Sequence, residues 1–347
     1  MELTIKKALQ QGVAAHKEGK LQEAERLYRA ILQSQPAHPD ANHNLGVLAV
    51  SMNKANAAIS LFKTALEANP KIEQFWLSYI DALIKEKQFD NAKQVFEQGK
   101  KQGKLSGIAA HLLDAEIKVN LGSLDEAKVT YAKVLALQPD TVLAHNKLGA
   151  VLHELGKLDE AEEGCKQAIA LNPDYAEAHY NMGISLREQG DLAAAIDSYR
   201  AAVSVDADQV ADQDNYGTAL LAQGQLNDTV DAYRQATGDD PVNAVHANSA
   251  WNLSLALLLS GNYEEGWRWY EWRFHKGSAT PPSFEKPRWH LDAPVDARVL
   301  VWAEQGYGDT MQFVRYMPMV KARAGTVILE IHPNLRRLLD GFGGAVT

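Results

Sequence analysis

The apolar residues of this chain fall at helical spacing, and that spacing recurs as a block. Segments such as "LQEAERLYRAIL" and "LDEAEEGCKQAIAL" place apolar residues three and four apart, on one face of a helix. Short turns separate the segments, "EGK", "LGS", "LGK" and "QGD", each with a glycine where a helix ends. Most second segments close on a proline, which lacks an N–H and stops the helix. The rhythm changes near residue 275, where "HKGSATPPSFEKPRWHLDAPVDA" carries four prolines and no helical period. Beyond it, "ARVLVWA" and "TVILEIH" are short continuous apolar runs that predict buried strands. The stretch between them predicts a helix interrupted near Pro318 and ended by Gly325.

Four columns define the block. Gly12, Gly46, Ile80, Ala115, Gly149, Gly183 and Gly217 follow one another at steps of 34 or 35 residues. Ala24, Ala58, Ala92, Ala127, Ala161, Ala195 and Thr229 form a second column twelve residues later. Tyr28, Phe62, Phe96, Tyr131, Cys165, Tyr199 and Tyr233 form a third, and Pro36, Pro70, Pro139, Pro173 and Pro241 a fourth. An eighth register follows with Ser254, Gly266 and Tyr270. The third register is loose, with Ile80 in the small-residue column, Gly99 on its second helix and "GKKQGKLSG" where the proline turn belongs. Lys100, Lys101 and Lys104 there read as a solvated turn.

The columns resemble tetratricopeptide repeats over residues 5–274. The resemblance implies a mainly all-α, right-handed superhelical solenoid of about seven to eight helix pairs. Small residue and alanine let the two helices of a pair approach, and the aromatic fills the space between units. First helices are expected to line a concave groove for a protein or an extended peptide. Asn44, Asn181, Asn215 and Asn252 stand two residues before the small position, and Asn146 three before it. An asparagine offers both donor and acceptor, so a ladder at the repeat pitch could pair with successive main-chain amides of a peptide. The ladder is similar to that of O-linked N-acetylglucosamine transferase superhelices. Leu9 or Gln10, Ser78 and Leu113 interrupt it, so peptide binding is expected mainly along residues 142–260. Equally, each asparagine could serve only to bond a neighbouring helix.

Composition narrows the chemistry. A formal charge of −9 disfavours nucleic acid and acidic membranes. The longest apolar run, "LSLALLL", is too short to span a bilayer. Cys165 is the single cysteine, so no internal disulfide forms, and a cytoplasmic location is expected. His111, His145 and His179 recur at the repeat pitch but on separate helices, and no set has metal-ligand spacing. Neither metal nor cofactor is expected.

Six of the seven tryptophans lie at or beyond residue 251, and "GWRWYEWRF" gathers Trp267, Trp269, Tyr270 and Trp272. They spread around a helix, so the last repeat presents an aromatic outer face. Residues 275–297 are read as a connector packed at the junction, with Trp289 filling that seam.

Residues 298–347 read as the start of a parallel sheet, two strands with a helix between. The loop "EQGYGDT" lies at the carboxyl end of the first strand, where ligands bind in such sheets. Gly306 and Gly308 leave room for close approach to an anion at a helix N-terminus. A dinucleotide fingerprint is incomplete, since Met311 takes the place of its third glycine, although Glu330 ends the second strand as a ribose-binding acid would. The run "LVWAEQGYGDTMQFVRYMP…AGTVILEIHPNLRRLL", joined through "YEWRF…P…W" to repeats, resembles bacterial repeat proteins that carry a heptosyltransferase-like glycosyltransferase domain of the GT-B type. The resemblance implies an incomplete Rossmann-like segment and makes Asp309 a candidate general base towards an acceptor hydroxyl. Asp309 could instead cap the following helix. Gln305, Gly306, Gly308, Gln312 and Arg315 are candidates for acceptor or phosphate contacts. A GT-B enzyme binds its nucleotide-sugar mainly on a second domain, so this chain is expected to be part of a longer protein and inactive alone. The alternative is a scaffold without chemistry.

Overall fold

A computed structural model of the chain describes residues 4–206, 210–238, 246–275, 289, 298–304, 306–339 and 345–346. The chain divides into two compact units, Met1–Ala279 and Thr280–Thr347.

The first unit is a row of eight helix pairs. They are α1 (Ile5–Lys17) with α2 (Leu21–Ser34), α3 (Pro39–Ser51) with α4 (Ala55–Ala68), α5 (Glu73–Lys85) with α6 (Phe89–Lys101), and α7 (Ile108–Asn120) with α8 (Leu124–Leu137). Then come α9 (Val142–Glu154) with α10 (Leu158–Leu171), α11 (Ala176–Gln189) with α12 (Leu192–Val205), α13 (Val210–Ala222) with α14 (Leu226–Thr237), and α15 (Ala247–Leu259) with α16 (Tyr263–Tyr270). These pairs are called repeats one to eight. First helices also touch the first helix of the next repeat, as α1 does α3, α5 does α7 and α9 does α11; second helices lack contact of that extent with one another. The row therefore curves towards its first helices, which form the inner face.

The small-residue column works against the ring of its own pair. A Cβ added at Gly12 would lie 2.6 Å from a Tyr28 ring carbon, and one at Gly183 2.7 Å from Tyr199. The ring rests on the glycine and reaches on into the next repeat, where Tyr199 shares a cluster with Ala219 and Leu220. The expected inter-repeat filler is thus first an intra-repeat lid.

Repeat three compensates for its irregularities. Ile80 is fully buried in place of glycine. Gly99 makes the room instead: a Cβ there would lie 2.7 Å from Leu105 and 2.9 Å from the Trp76 ring. Lys100 and Lys101 are exposed.

The proline turn has a partner that the four columns do not contain. Asn42 Nδ2 donates to the Pro36 carbonyl at 2.8 Å, and Trp76 Nε1 to Pro70 at 2.9 Å. His145 and His179 bond the carbonyls of Pro139 and Pro173 through Nε2, each at 2.8 Å. A carbonyl only accepts, so each imidazole carries its proton on Nε2. Two of the three recurring histidines are therefore turn donors six residues after a proline.

At the end of the row Trp269 is 1% exposed and packs with Tyr233, Leu253 and Leu257, with Trp272 alongside. Tyr270 meets Trp251 of its own repeat in a tilted contact at 4.8 Å, and Trp267 stays 46% exposed. The aromatic segment thus turns Trp269 inward. The connector, residues 275–297, lies outside the described residues except for His275 and Trp289. Trp289 packs against the second unit's own core.

The second unit holds β1 (Arg298–Trp302), α17 (Tyr307–Phe313), α18 (Met317–Arg323), β2 (Thr326–Glu330), α19 (Arg336–Leu339) and β3 (Ala345–Val346). A 3-10 turn, Val314–Tyr316, interrupts the helix ahead of Pro318. The sheet is parallel in the order β1-β2-β3, with Val299 opposite Val327 and Leu329 opposite Val346. It has three strands, not the expected two. The strands are buried on one face only: Val299, Val327 and Leu329 pack with Val314 and Met317, while Leu300 on the other face is 40% exposed. Helices cover one side, so the strands do not meet the two-sided burial that continuous apolar runs suggest.

Candidate functional site

The inner face of the repeats changes character along its length. In repeats two to four the seams are apolar, with Phe75, Trp76, Ile80 and Leu83 gathered with Leu66, Leu105 and Ile117. Asn44 is half-buried on α3, beside His43. His43 Nε2 meets Ser78 Oγ at 3.0 Å, and its ring lies 4.8 Å from that of Phe75. Burial pulls the His43 imidazole below its ordinary pKa, against weaker opposite pulls from Asn44 and Asp40.

From α9 onward polar links between first helices are added to apolar seams. Asn181 Nδ2 donates to Asn146 Oδ1 at 2.9 Å, and Asn146 is fully buried. Asn215 Nδ2 donates to the Tyr180 hydroxyl at 2.9 Å, and its oxygen accepts from Arg187 at 2.8 Å. Asn252 Nδ2 donates to Asp214 at 3.2 Å. Lys147 occupies the asparagine register of repeat five and bonds Glu177 at 2.7 Å. Glu177 also accepts from the Tyr175 hydroxyl at 3.0 Å. Burial would raise the Glu177 carboxyl, but Lys147, Tyr175 and the Asn146 amide together hold it below its ordinary pKa. Tyr175 is pushed up to about 12, chiefly by burial, with the Glu177 charge adding to it.

The asparagines are therefore joined one repeat to the next. Asn146 and Asn181 are brought together; Asn215 and Asn252 continue the series through Tyr180 and Asp214. Asn44 stands apart, three repeats before the start of the series. The sequence did not single out Lys147, Tyr175, Tyr180 or Asp214. A polar residue at or beside the asparagine register is the signal that could have found Lys147, Tyr180 and Asp214; Tyr175 lies before the helix and carries no such signal.

In the second unit the glycine loop leads into α17. Gln305 lies outside the described residues. Gly306 is the N-cap with φ −64°, an ordinary extended conformation, and a Cβ on Gly308 would meet nothing within 4 Å. Neither glycine is needed for folding the loop, and the loop is open on that side. Asp309 is half-buried in the first turn of α17, and no side-chain cap bond forms at Gly306. Gln312 is exposed, and Arg315 turns onto Tyr316, bonding its hydroxyl at 3.1 Å. Glu330 is exposed at the end of β2.

Three residues missed by the sequence reading tie the loops after β1 and β2. Asn334 Nδ2 donates to the Tyr307 hydroxyl at 2.9 Å, and His332 meets the Tyr307 ring edge-on at 4.9 Å. His332 directly follows the apolar run of β2, a position where sheets of this kind place ligand contacts. Among the described residues no group of three or more His, Cys, Asp or Glu could hold a metal, and no helix is long and apolar enough to cross a membrane.

Paired antiparallel helices repeating at this pitch, four of the pairs closed by a ring on a glycine, define a helical-repeat solenoid. Its repeats are tetratricopeptide repeats: family matches of that description fall at residues 15–71, 49–117, 115–156, 140–208 and 217–271. They cover well over half of the chain, which is a tetratricopeptide repeat protein. No curated protein matches it. Among solved structures it is similar in fold to the APC/C hetero-tetramer Cut9-Hcn1, with a TM-score of 0.59 and 17% identity over 71% of this chain and 48% of that one. This chain thus matches about half the length of that relative. It is also similar to a human IFIT1 dimer with PPP-AAAA, with a TM-score of 0.55 and 15% identity over 79% of this chain and 73% of that one.

Proposed function

We propose that the repeats are a protein-binding scaffold, and that an extended peptide lies along the first helices over residues 142–260. The observation that carries this reading is the polar series from Asn146 to Asn252. Asn181 and Asn252 each give one amide hydrogen to a neighbouring repeat. A primary amide has a second hydrogen and an acceptor oxygen, and the inter-repeat bond fixes the plane in which they point. Amides held at the repeat pitch suit a peptide backbone and cost little ordering on binding. Membership of the tetratricopeptide repeat family supports the same reading.

We further propose that the second unit begins a glycosyltransferase domain of the GT-B type whose acceptor proteins the repeats recruit. What supports it is the half-buried Asp309 carboxylate in the first turn of α17, two residues after the Tyr307 that meets His332 and Asn334. Asp309 takes the acceptor hydroxyl proton, and the nucleotide-sugar is held by a partner domain in a longer form of the protein.

One experiment addresses both. Fluorescence anisotropy with labelled unstructured peptides compares the wild type, Asn181→Ala/Asn215→Ala and Asp309→Asn. The asparagine variant is expected to weaken binding at least about tenfold, roughly 1.4 kcal/mol. Asp309→Asn is expected to leave binding intact and to abolish transfer in a form that carries a donor domain. Unchanged peptide affinity in the asparagine variant sinks the groove; undiminished transfer by Asp309→Asn sinks the base.

A further inference from the structure

Repeat five departs from the others in one column, and the departure coincides with an open groove. Its ring position holds Cys165, preceded by Gly164. The α9–α10 pair consequently closes backbone on backbone. A Cβ at Gly164 would lie 3.2 Å from Gly149 Cα and 3.2 Å from the His145 carbonyl oxygen. One at Gly149 would lie 3.1 Å from the Ala161 carbonyl oxygen, whereas Gly12, Gly46, Gly183 and Gly217 meet only ring carbons.

Beside this thin pair, on the seam towards α8, lies a groove of about 500 Å³. Leu148 and Leu152 of α9 form its floor, Leu135 of α8 one wall, and Asp159, Glu160 and Glu163 of α10 the rim. The volume is that of an ordinary ligand site. The acidic rim is poorly neutralised. Glu160 has Lys157 at 3.2 Å, but Glu163 accepts only from the Gln167 amide at 2.7 Å and Asp159 from the Gln189 amide at 3.3 Å. Among the described residues no cation lies in salt-bridge contact with Asp159 or Glu163; Lys166, which attracts Glu163 through space, is bonded to Glu162 at 2.6 Å.

An apolar floor under incompletely compensated carboxylates selects a particular side-chain chemistry. Arginine and lysine have an aliphatic stem that packs on leucine and a cationic head that needs an acceptor. Phosphate-bearing partners are repelled by the same rim. The groove is larger than one side chain, so it holds a basic residue together with an apolar neighbour.

We propose that this seam docks a basic amphipathic segment of a partner protein. A lysine or arginine stem lies on Leu135, Leu148 and Leu152, with its head between Asp159 and Glu163. The surface is separate from the asparagine series and does not depend on it.

The test uses the full chain and a short fluorescein-labelled peptide of alternating leucine and arginine pairs, with a glutamate-for-arginine peptide as counterpart. Asp159→Lys/Glu163→Lys is compared with Glu23→Lys/Glu97→Lys, which changes the net charge equally at exposed sites elsewhere. Circular dichroism checks that both variants stay folded. The seam variant is expected to weaken the basic peptide at least about tenfold and the distant variant less than about twofold. Asn181→Ala/Asn215→Ala is expected to bind the basic peptide as the wild type does. Equal losses in the two charge variants, no loss in the seam variant, or comparable binding of the acidic peptide would overturn the proposal.

Discussion

Repeats two to four and repeats five to eight share one backbone pattern and apolar seams, but the second group adds a series of polar links between its first helices. The first group packs Trp76, Ile80, Leu83 and Leu105 into one apolar cluster, and its polar contact, His43 on Ser78, is covered by Phe75. The second group links its first helices through Asn146, Asn181, Asn215 and Asn252. Apolar packing is non-directional and tolerates Ile80 where glycine is the rule, provided that Gly99 yields the space. Amide pairing is directional and needs a dedicated partner in the next repeat. The first region is therefore suited to holding the row together, and the second to presenting polar groups in a fixed register.

The largest effect is expected from Trp76→Ala. Trp76 is 1% exposed, fills the space above Gly99 and bonds the Pro70 carbonyl. Its removal is expected to cost about 3–5 kcal/mol. Repeat arrays unfold in sections when one interface weakens. Hydrogen exchange should thus show lost protection in α5 and α6 with α9 to α15 largely retained. Uniform loss along the row would mean that the two regions are not separable.

Cys165→Phe comes next and probes the second region. It restores the ring of the column, yet the Gly149–Gly164 approach leaves no space for it. Overpacking of this kind costs about 1–3 kcal/mol. Thermal melts read the loss, and an unchanged or raised melting temperature would show that α9 and α10 are not closed on each other. The wild-type thiol, pushed up to about 12 by burial and nearby Glu162 and Glu177, is expected to resist alkylation until the pair opens.

The repeat pitch was legible because packing constrains the same position in most units: Gly46 must be small under Phe62, and Gly183 under Tyr199. The donors to the proline turns were not legible as a column. Asn42, Trp76, His145 and His179 have little in common except an N–H at the right height. A shared hydrogen-bonding role leaves no shared residue type. The two residues of β3 are too few to show a period, so Ala345–Val346 do not stand out as a strand in the sequence. At the candidate sites the asparagines and Asp309 stood out by type and position. Tyr307, His332 and Asn334 did not, because their relation depends on two loops far apart in sequence meeting at one end of the sheet.

The smallest effect concerns acid, and it separates the two regions by pH. Burial lowers the His43 pKa from 6.5, so the folded chain binds that proton more weakly than the unfolded chain does. Its contribution is complete above 6.5 and declines as pH falls through that value towards the lowered one. Glu177 is held below 4.5, so its contribution persists down to that value and is lost beneath it. The seam between repeats two and three should therefore weaken first and the polar series second. Thermal melts of His43→Gln should show a flatter pH dependence than the wild type between 6.5 and the carboxylate range, and those of Glu177→Gln a flatter dependence only below 4.5. If both variants follow the wild-type curve throughout, neither group is linked to folding, and the difference between the regions is one of shape alone.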